Sequence, residues 1–564
     1  MKLIIRQYLA SLKERDELDA VLPDLLSQLG LNVYSRPRRG TRQDGVDVAA
    51  VGSLDGGTEK VYLFSIKPGD LTRSSWDGDA VQSLRPSLNE ILDAYTPNRL
   101  PNEHRDKDIV VCLCFGGDIQ EEVRPLVEGY IKQINRENLT FEEWNGDKLA
   151  SLILSNFLRE DLLPQNARSQ LRKSLALLDE PETSYQHFSA LIRSLSSSEI
   201  SESTKDKDQI TAIRQINICL WILFAWARDA GNLESAYLSS ELTLLHAWEI
   251  TRKYIAKTTK TAKSVRSAFF SILSIYWQIS YEYLGKKILP HTHKRHALSA
   301  AVQAPCNLDV NLKLFDVLGR LAIGGIWAYW KTQQIDIKET ETLGKIWNEV
   351  HSFSCAVKQL ITNNPTLFSP IKDDQAIDIS ICVLLLIIDK NNHDYIRKWL
   401  SELVERATFS HQINSQYPCN LRSYAELLEH PQQNSENYHQ EVTGGSILFP
   451  MIALYAALLG DNELYKQVQS IKEKHLSHCN FQFWYPDDSS EESFYTNNNA
   501  HGATLSHACI DRCMDEFKSQ AFVECEHSPH FETLSAIKTG LWPIILVACR
   551  HYRIPLPVHL MGFS

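Results

Sequence analysis

Long apolar runs are scarce in this 564-residue chain. The two that stand out, ICVLLLIID around Leu385 and GGSILFPMIALYAALLG around Ile452, fall short of the roughly 20 residues that cross a bilayer, and Pro450 interrupts the second. Both are expected as buried helices. No secretory apolar core opens the sequence, because MKLIIRQYLASLKERDEL reads as a charged amphipathic helix. The twelve cysteines stand at irregular spacings, so reduced thiols in a cytosol are expected rather than a disulfide framework. Positive charge is also in deficit. The net charge is −11, and the first 150 residues alone hold 19 Lys/Arg against 25 Asp/Glu, which excludes a globally basic nucleic-acid coat. Neither a G-x-x-x-x-G-K-[ST] phosphate loop nor a GxSxG elbow is present, so an NTPase motor and a serine hydrolase are not expected.

Length demands more than one core, since single cores stop growing at about 250–300 residues. The local patterns change character near residue 160. Before it, helical and strand periodicities alternate: a long helix to about Leu29, NVYSR, DGVDVAAV, KVYLFSIK, a helix around AVQSLRPSLNEILDAY, DIVVCLCF, a helix from about Asp118, and LTFEEW. The order is α-β-β-β-α-β-α-β. In FGGDIQEEV, Gly116 and Gly117 read as a turn, with Asp118 and Glu121 in capping-box positions. After residue 160 strand signals nearly vanish, and an all-α region of stacked helical hairpins is expected. Two Gly-Asn or Gly-Asp turns mark such hairpins, at FAWARDAGNLESAYLSS and IALYAALLGDNELYKQ, but no fixed repeat period joins them. The serine-rich stretch Ser194–Gln209 reads as an exposed connection. The expected domains are 1–160, a connector at 161–209, and 210–564.

Two candidate metal tracts are weak. In HTHKRH, His291 to His296, Lys294 and Arg295 interrupt ligands that are too close together, which reads as a basic loop. HACIDRC offers His507, Cys509 and Cys513, with Cys525 or His527 beyond, yet no CxxC pair anchors it, and thiols packed in helices are expected.

The stretch RQDGVDVAAVGSLDGGTEKVYLFSIKPGD is more informative. Alternation puts Val46, Val48 and Ala50 on one face of the first strand and Asp47 with Ala49 on the other. On the second strand, Val61, Leu63, Ser65 and Lys67 share a face. A turn at Asp55, Gly56 and Gly57 pairs the strands and carries Asp47 and Lys67 to one end of the hairpin. On these two residues alone the pattern is that of an ion pair at a strand end. Just upstream, Arg36, Arg38, Arg39 and Arg42 form a local basic patch.

Taken together, the helix ending LLSQLG, the Arg-rich strand entry, the Gly-Val-Asp-Val strand, the hairpin and the strand ending in x-x-Lys resemble the PD-(D/E)XK nuclease superfamily, in particular its Mrr-like restriction-endonuclease branch. The resemblance covers about residues 10–150. It implies a restriction-endonuclease-like α-β-β-β-α-β core in which Asp47 holds Mg²⁺ or Mn²⁺ and Lys67 orients or activates water. It also implies an acid from the first helix, for which Asp19 fits best, with Asp24 and Glu17 behind it. A metal ion polarises the phosphoryl oxygen and acidifies the attacking water, and a lysine stabilises developing charge. The arginines would hold backbone phosphates without reading sequence. One position departs from the pattern: Ser65 stands where the second acid belongs, and serine is a poor Mg²⁺ ligand. Asp70, Asp77 or Asp79 could supply the missing carboxylate. The resemblance therefore implies either a cytoplasmic endonuclease acting on double-stranded DNA in bacterial defence, or a degenerate nuclease fold that binds nucleic acid or a partner. The helical region would sense or assemble, as a homo-oligomer or with a partner defence protein, and no membrane is implicated.

Overall fold

The computed structural model describes residues 2–12, 14–36, 43–54, 56–78, 83–156, 165–196, 206–302, 306–336, 338–433, 435–497 and 504–563. The chain is mostly helical, with an N-terminal mixed five-stranded sheet followed by a long helical region. It divides into two compact units, Met1–Ile279 and Ser280–Ser564.

Unit 1 begins with helix α1 (Lys2–Ser11), a π-helical turn (Glu14–Leu18) and helix α2 (Asp19–Gln28). Five strands follow: β1 (Asn32–Ser35), β2 (Val48–Gly52), β3 (Lys60–Lys67), β4 (Ile109–Phe115) and β5 (Leu139–Trp144), in the spatial order β1-β2-β3-β4-β5. The first three pair antiparallel, and β3, β4 and β5 pair parallel. All seven residues of β4 are buried, as expected for a central strand covered on both faces. One face packs Ala49, Val51, Leu63, Val111 and Leu113 against Leu84, Leu88, Val127 and Tyr130 from the helices Leu84–Glu90 and Arg124–Ile134.

Four expectations need correction. The helix after β4 begins at Arg124, so Asp118 is not its cap. The chain first stays extended, bridging Leu71 to Ile119, while the Asp118 N–H donates to Asp70 Oδ1 at 2.9 Å and the Asp118 carboxylate meets Arg6. Gly116 serves close approach: a Cβ there would lie 2.0 Å from the Leu9 carbonyl oxygen of α1.

The first compact unit also extends well beyond residue 160. Helix Asp206–Asp229 packs against α1 and α2, with polar contacts to α2 and to the π-helical turn on an otherwise apolar surface. Arg228 donates to Glu17 Oε1 at 2.7 Å, Arg214 to Gln28 Oε1 at 2.9 Å, and Asn217 to Asp24 Oδ2 at 3.3 Å. Within this helix, Asp208–Asp229 is the one stretch among the described residues that is long and apolar enough to cross a membrane, and 78% of its apolar window is buried. It is the spine of the unit's helical layer. Of the serine-rich connection, residues 194–196 and 206–209 are helical, and 197–205 lie outside the described residues.

Unit 2 is not all-α. A small sheet, β6 (Gly445–Ser446), β7 (Asn480–Tyr485) and β8 (Thr504–His507), joins its helices in the order β6-β7-β8. NFQFWY carries the alternation of a half-buried strand, with Phe481 and Phe483 inward. The helices Ala376–Leu386 and Leu448–Leu459, which hold the two apolar runs, are buried nearly all round. Both hairpin turns form as read. Gly231 (φ +75°) separates helices Asp206–Asp229 and Glu234–Arg252 in unit 1, and Gly460 (φ +68°) ends Leu448–Leu459 before Asp461 caps Asn462–Lys474. Cys509 and Cys513 lie between β8 and the helix Met514–His527 rather than inside a helix, and the described cysteines are free.

Gly45 explains why the strand entry reads Gly-Val-Asp. It adopts φ +81°, and a Cβ there would lie 2.0 Å from the Ser87 carbonyl oxygen. Gly45→Ala therefore combines left-handed strain with overpacking. It is expected to lower stability by about 1–3 kcal/mol, read as a shift in the urea midpoint at unchanged slope.

Candidate functional site

Because β2 runs antiparallel to β3, the start of β2 and the end of β3 lie at the same edge of the sheet. Asp44 (φ +49°) and Gly45 turn the chain into that edge, and Val46 joins the core cluster with Ala49 and Val51. This departs from simple alternation, which would put Val46 and Ala49 on opposite faces. Asp47 ends the ladder: its N–H donates to the Phe64 carbonyl at 2.8 Å, and its Oδ2 accepts the Ile66 N–H at 2.7 Å. One carboxylate oxygen thus takes the place of a backbone carbonyl. Burial pushes the Cys114 thiol of β4 up, and the Asp47 charge adds to that shift.

Lys67 closes β3 with 6% exposure. Its Nζ lies 3.6 Å from Glu14 Oε2, an ion-pair distance longer than a hydrogen bond. Glu14 comes from the π-helical turn between α1 and α2, the kind of helical irregularity that recurs at functional sites. The acid brought to Lys67 from the first helical segment is therefore Glu14, while Asp19 opens α2. Glu17 and Asp24 are engaged with Arg228 and Asn217 in holding the helical layer.

Ser65 is 1% exposed, and its Oγ meets no hydrogen-bond partner among the described residues. It stands one residue beyond the last β2–β3 pair, Val48 with Phe64, and beside Leu113 of β4. Of the substitute carboxylates, Asp70 accepts the Asp118 N–H and Asp77 pairs with Arg85 at 2.9 Å. Asp79 lies outside the described residues, as do Arg38, Arg39, Arg42 and the turn residue Asp55. Arg36 is exposed at the exit of β1, where its carbonyl accepts from Gln43 Nε2. Beside it opens a polar cleft of about 200 Å³ lined by Tyr34, Ser35, Gln43, Tyr95, Arg99 and Pro101, with Arg99 paired to Asp44 at 2.5 Å.

Among the described residues, no group of three or more His, Cys, Asp or Glu side chains has metal-holding geometry. Asp47 and Glu14 are the hard oxygen donors near Lys67, and Mg²⁺ is commonly bound by one or two carboxylates with waters and substrate phosphates completing its shell. Comparison with protein-family models, with curated proteins and with solved structures gave no match.

Proposed function

We propose that the sheet domain is a restriction-endonuclease-like fold of the Mrr-like branch. In this reading the protein is a metal-dependent endonuclease acting on double-stranded DNA, an effector of bacterial defence in the cytoplasm. The observation that supports this is that Asp47, bonded to the Ile66 N–H, and the Lys67–Glu14 pair belong to the same end of the β2–β3 hairpin, in a frame of helix, antiparallel hairpin and parallel β4. Asp47 and Glu14 would hold Mg²⁺ or Mn²⁺, which supplies phosphoryl polarisation and an acidified water. Lys67 is 6% exposed, a position where an ammonium would stabilise an oxyanion more strongly than at the surface. Arg36, exposed at the exit of β1, provides phosphate contacts beside that edge. Unit 2 serves as the sensing or assembly module, toward a second copy or a partner defence protein.

The test is cleavage of supercoiled plasmid with Mg²⁺ or Mn²⁺. Asp47→Ala and Lys67→Ala are each expected to lower the rate by about 100-fold or more while DNA binding persists. Cleavage that survives both substitutions would remove the assignment. The buried, unpartnered Ser65 favours a second reading, a nuclease fold retained for binding. Wild-type protein that retards DNA in a salt-dependent way but cuts with neither metal would select it.

A further inference from the structure

Five histidines meet in unit 2 from four separate places in the sequence. His411 ends the helix His393–Gln412, His430 sits in a 3-10 turn, His439 lies in the helix Glu436–Val442, and His475 and His478 follow the helix Asn462–Lys474. His411 Nδ1 and His439 Nε2 are 3.1 Å apart, so one of these nitrogens must be bare and accept from the other. The His411 ring stacks on Tyr417 at 4.5 Å and on His475 at 5.7 Å, and His439 meets His478 edge-on at 5.3 Å. His430 bonds the Tyr438 hydroxyl at 3.0 Å, and its other nitrogen lies 3.3 Å from the Tyr417 carbonyl. The imidazoles form a row, His475–His411–His439–His478, and do not converge on one point. Among the described residues no metal-holding group is found there.

Residues 413–433 and 435–443 lean on this row. Beneath them lies a small core that joins their Tyr417, Cys419, Leu427 and Val442 to Leu308 and Ile371. Segments with so few apolar contacts open at a fraction of the global unfolding free energy. The polar groups facing the row supply little negative charge. Tyr417 and Cys419 come from the loop, Glu436 and Tyr438 from the helix that carries His439, and Lys472 and Lys474 from the helix before His475. Lys472 is fixed there, donating to the Leu476, Ser477 and Cys479 carbonyls.

We propose that this histidine row is an acid-opened latch, which holds residues 413–433 and 435–443 down while its imidazoles are neutral and releases them when they take up protons. Burial, and then the neighbouring imidazoles, depress His411 to about 3, and burial likewise lowers His430, His439, His475 and His478. A depressed histidine holds fewer protons closed than open, so closure is intact above the free value near 6.5 and weakens as pH falls below it. Each histidine so held changes the opening equilibrium about tenfold per pH unit in that window. Asp373, which accepts from Ser446 Oγ and the Ile447 N–H, works the other way: burial raises it to about 6, so it gains its proton while closed. Between pH 7.5 and 5.5 that single group offsets about fourfold, against about tenfold for His411 alone, and the lowered His430 and His439 act in the same direction as His411.

Hydrogen exchange of the full chain at pH 7.5 and 5.5, corrected for intrinsic rates, tests the latch. Peptides within 413–443 are expected to lose tenfold or more of their protection at pH 5.5 while the helix Asn307–Gln333 keeps its own. His411→Phe preserves the stack on Tyr417 but takes no proton, and it should cut the pH response by about tenfold. His439→Gln, at a half-exposed position, provides the same reading if His411→Phe does not fold. Unchanged protection of 413–443 at pH 5.5, or a pH response as large in both variants as in wild type, would overturn the proposal.

Discussion

Replacing Glu17 with alanine is expected to destabilise unit 1 by about 3–5 kcal/mol, far more than a surface acid is worth. Glu17 has no solvent exposure, and its Oε1 accepts from Arg228 at 2.7 Å and from Gln278 at 2.9 Å. Removing the carboxylate takes the 2.7 Å ion pair away from the Arg228 guanidinium, whose side chain is 18% exposed. The nearby Tyr8 hydroxyl, already pushed up chiefly by burial, loses the Glu17 contribution while that of Arg228 remains. Exchange protection of the β4 amides reports the loss within unit 1 alone. A change under 1 kcal/mol would mean that the helix Asp206–Asp229 is held by its apolar face and the pair is incidental. The double variant Glu17→Leu, Arg228→Met should recover much of the loss, because a buried pair replaced by apolar groups of similar volume costs little.

The same residues show where the sequence was readable and where it was not. The sheet was legible because β3 and β4 are short apolar runs bounded by turn residues, and because Gly45 and the Gly56–Gly57 turn punctuate the hairpin. The extent of the first unit was not. The change from strands to helices near residue 160 is real, but whether a following helix packs back is decided by contacts nearly 200 residues apart, such as Arg214 with Gln28. Polar residues spaced along an otherwise apolar helix were the available sign. Glu14 was obscured for a related reason: a π-helical turn shifts which side chain faces the sheet, so even helical spacing directs attention to Asp19. The histidines carry no local motif, because tertiary packing brings together positions from 411 to 478. NFQFWY could have been recognised, since Asn480 to Phe483 alternate and aromatics favour strands, but long helical patterns surround it.

Ser65→Glu puts the proposed nuclease site to its most direct test. In the metal-free protein the substitution forces a carboxylate into a position that is 1% exposed, beside Leu113 and one residue past the β2–β3 ladder. An uncompensated buried charge of this kind is expected to cost several kcal/mol, unless the group takes up a proton. If Asp47 directs its second carboxylate oxygen into the same space, the variant gains a pair of hard anionic donors, and divalent ions should bind the folded state. At a free Mg²⁺ concentration 100 times its dissociation constant, such binding returns about 2.7 kcal/mol. The expected result is therefore a variant less stable than wild type in chelator and strongly rescued by Mg²⁺, with a midpoint that climbs with metal concentration while the wild-type midpoint moves less. Plasmid cleavage should rise alongside that rescue. If Mg²⁺ instead leaves both midpoints where chelator puts them, Asp47 serves only to cap the Ile66 N–H. The chemistry proposed for Lys67 and Glu14 would then reduce to an ion pair that closes the sheet edge, and the binding reading of the domain would stand in its place.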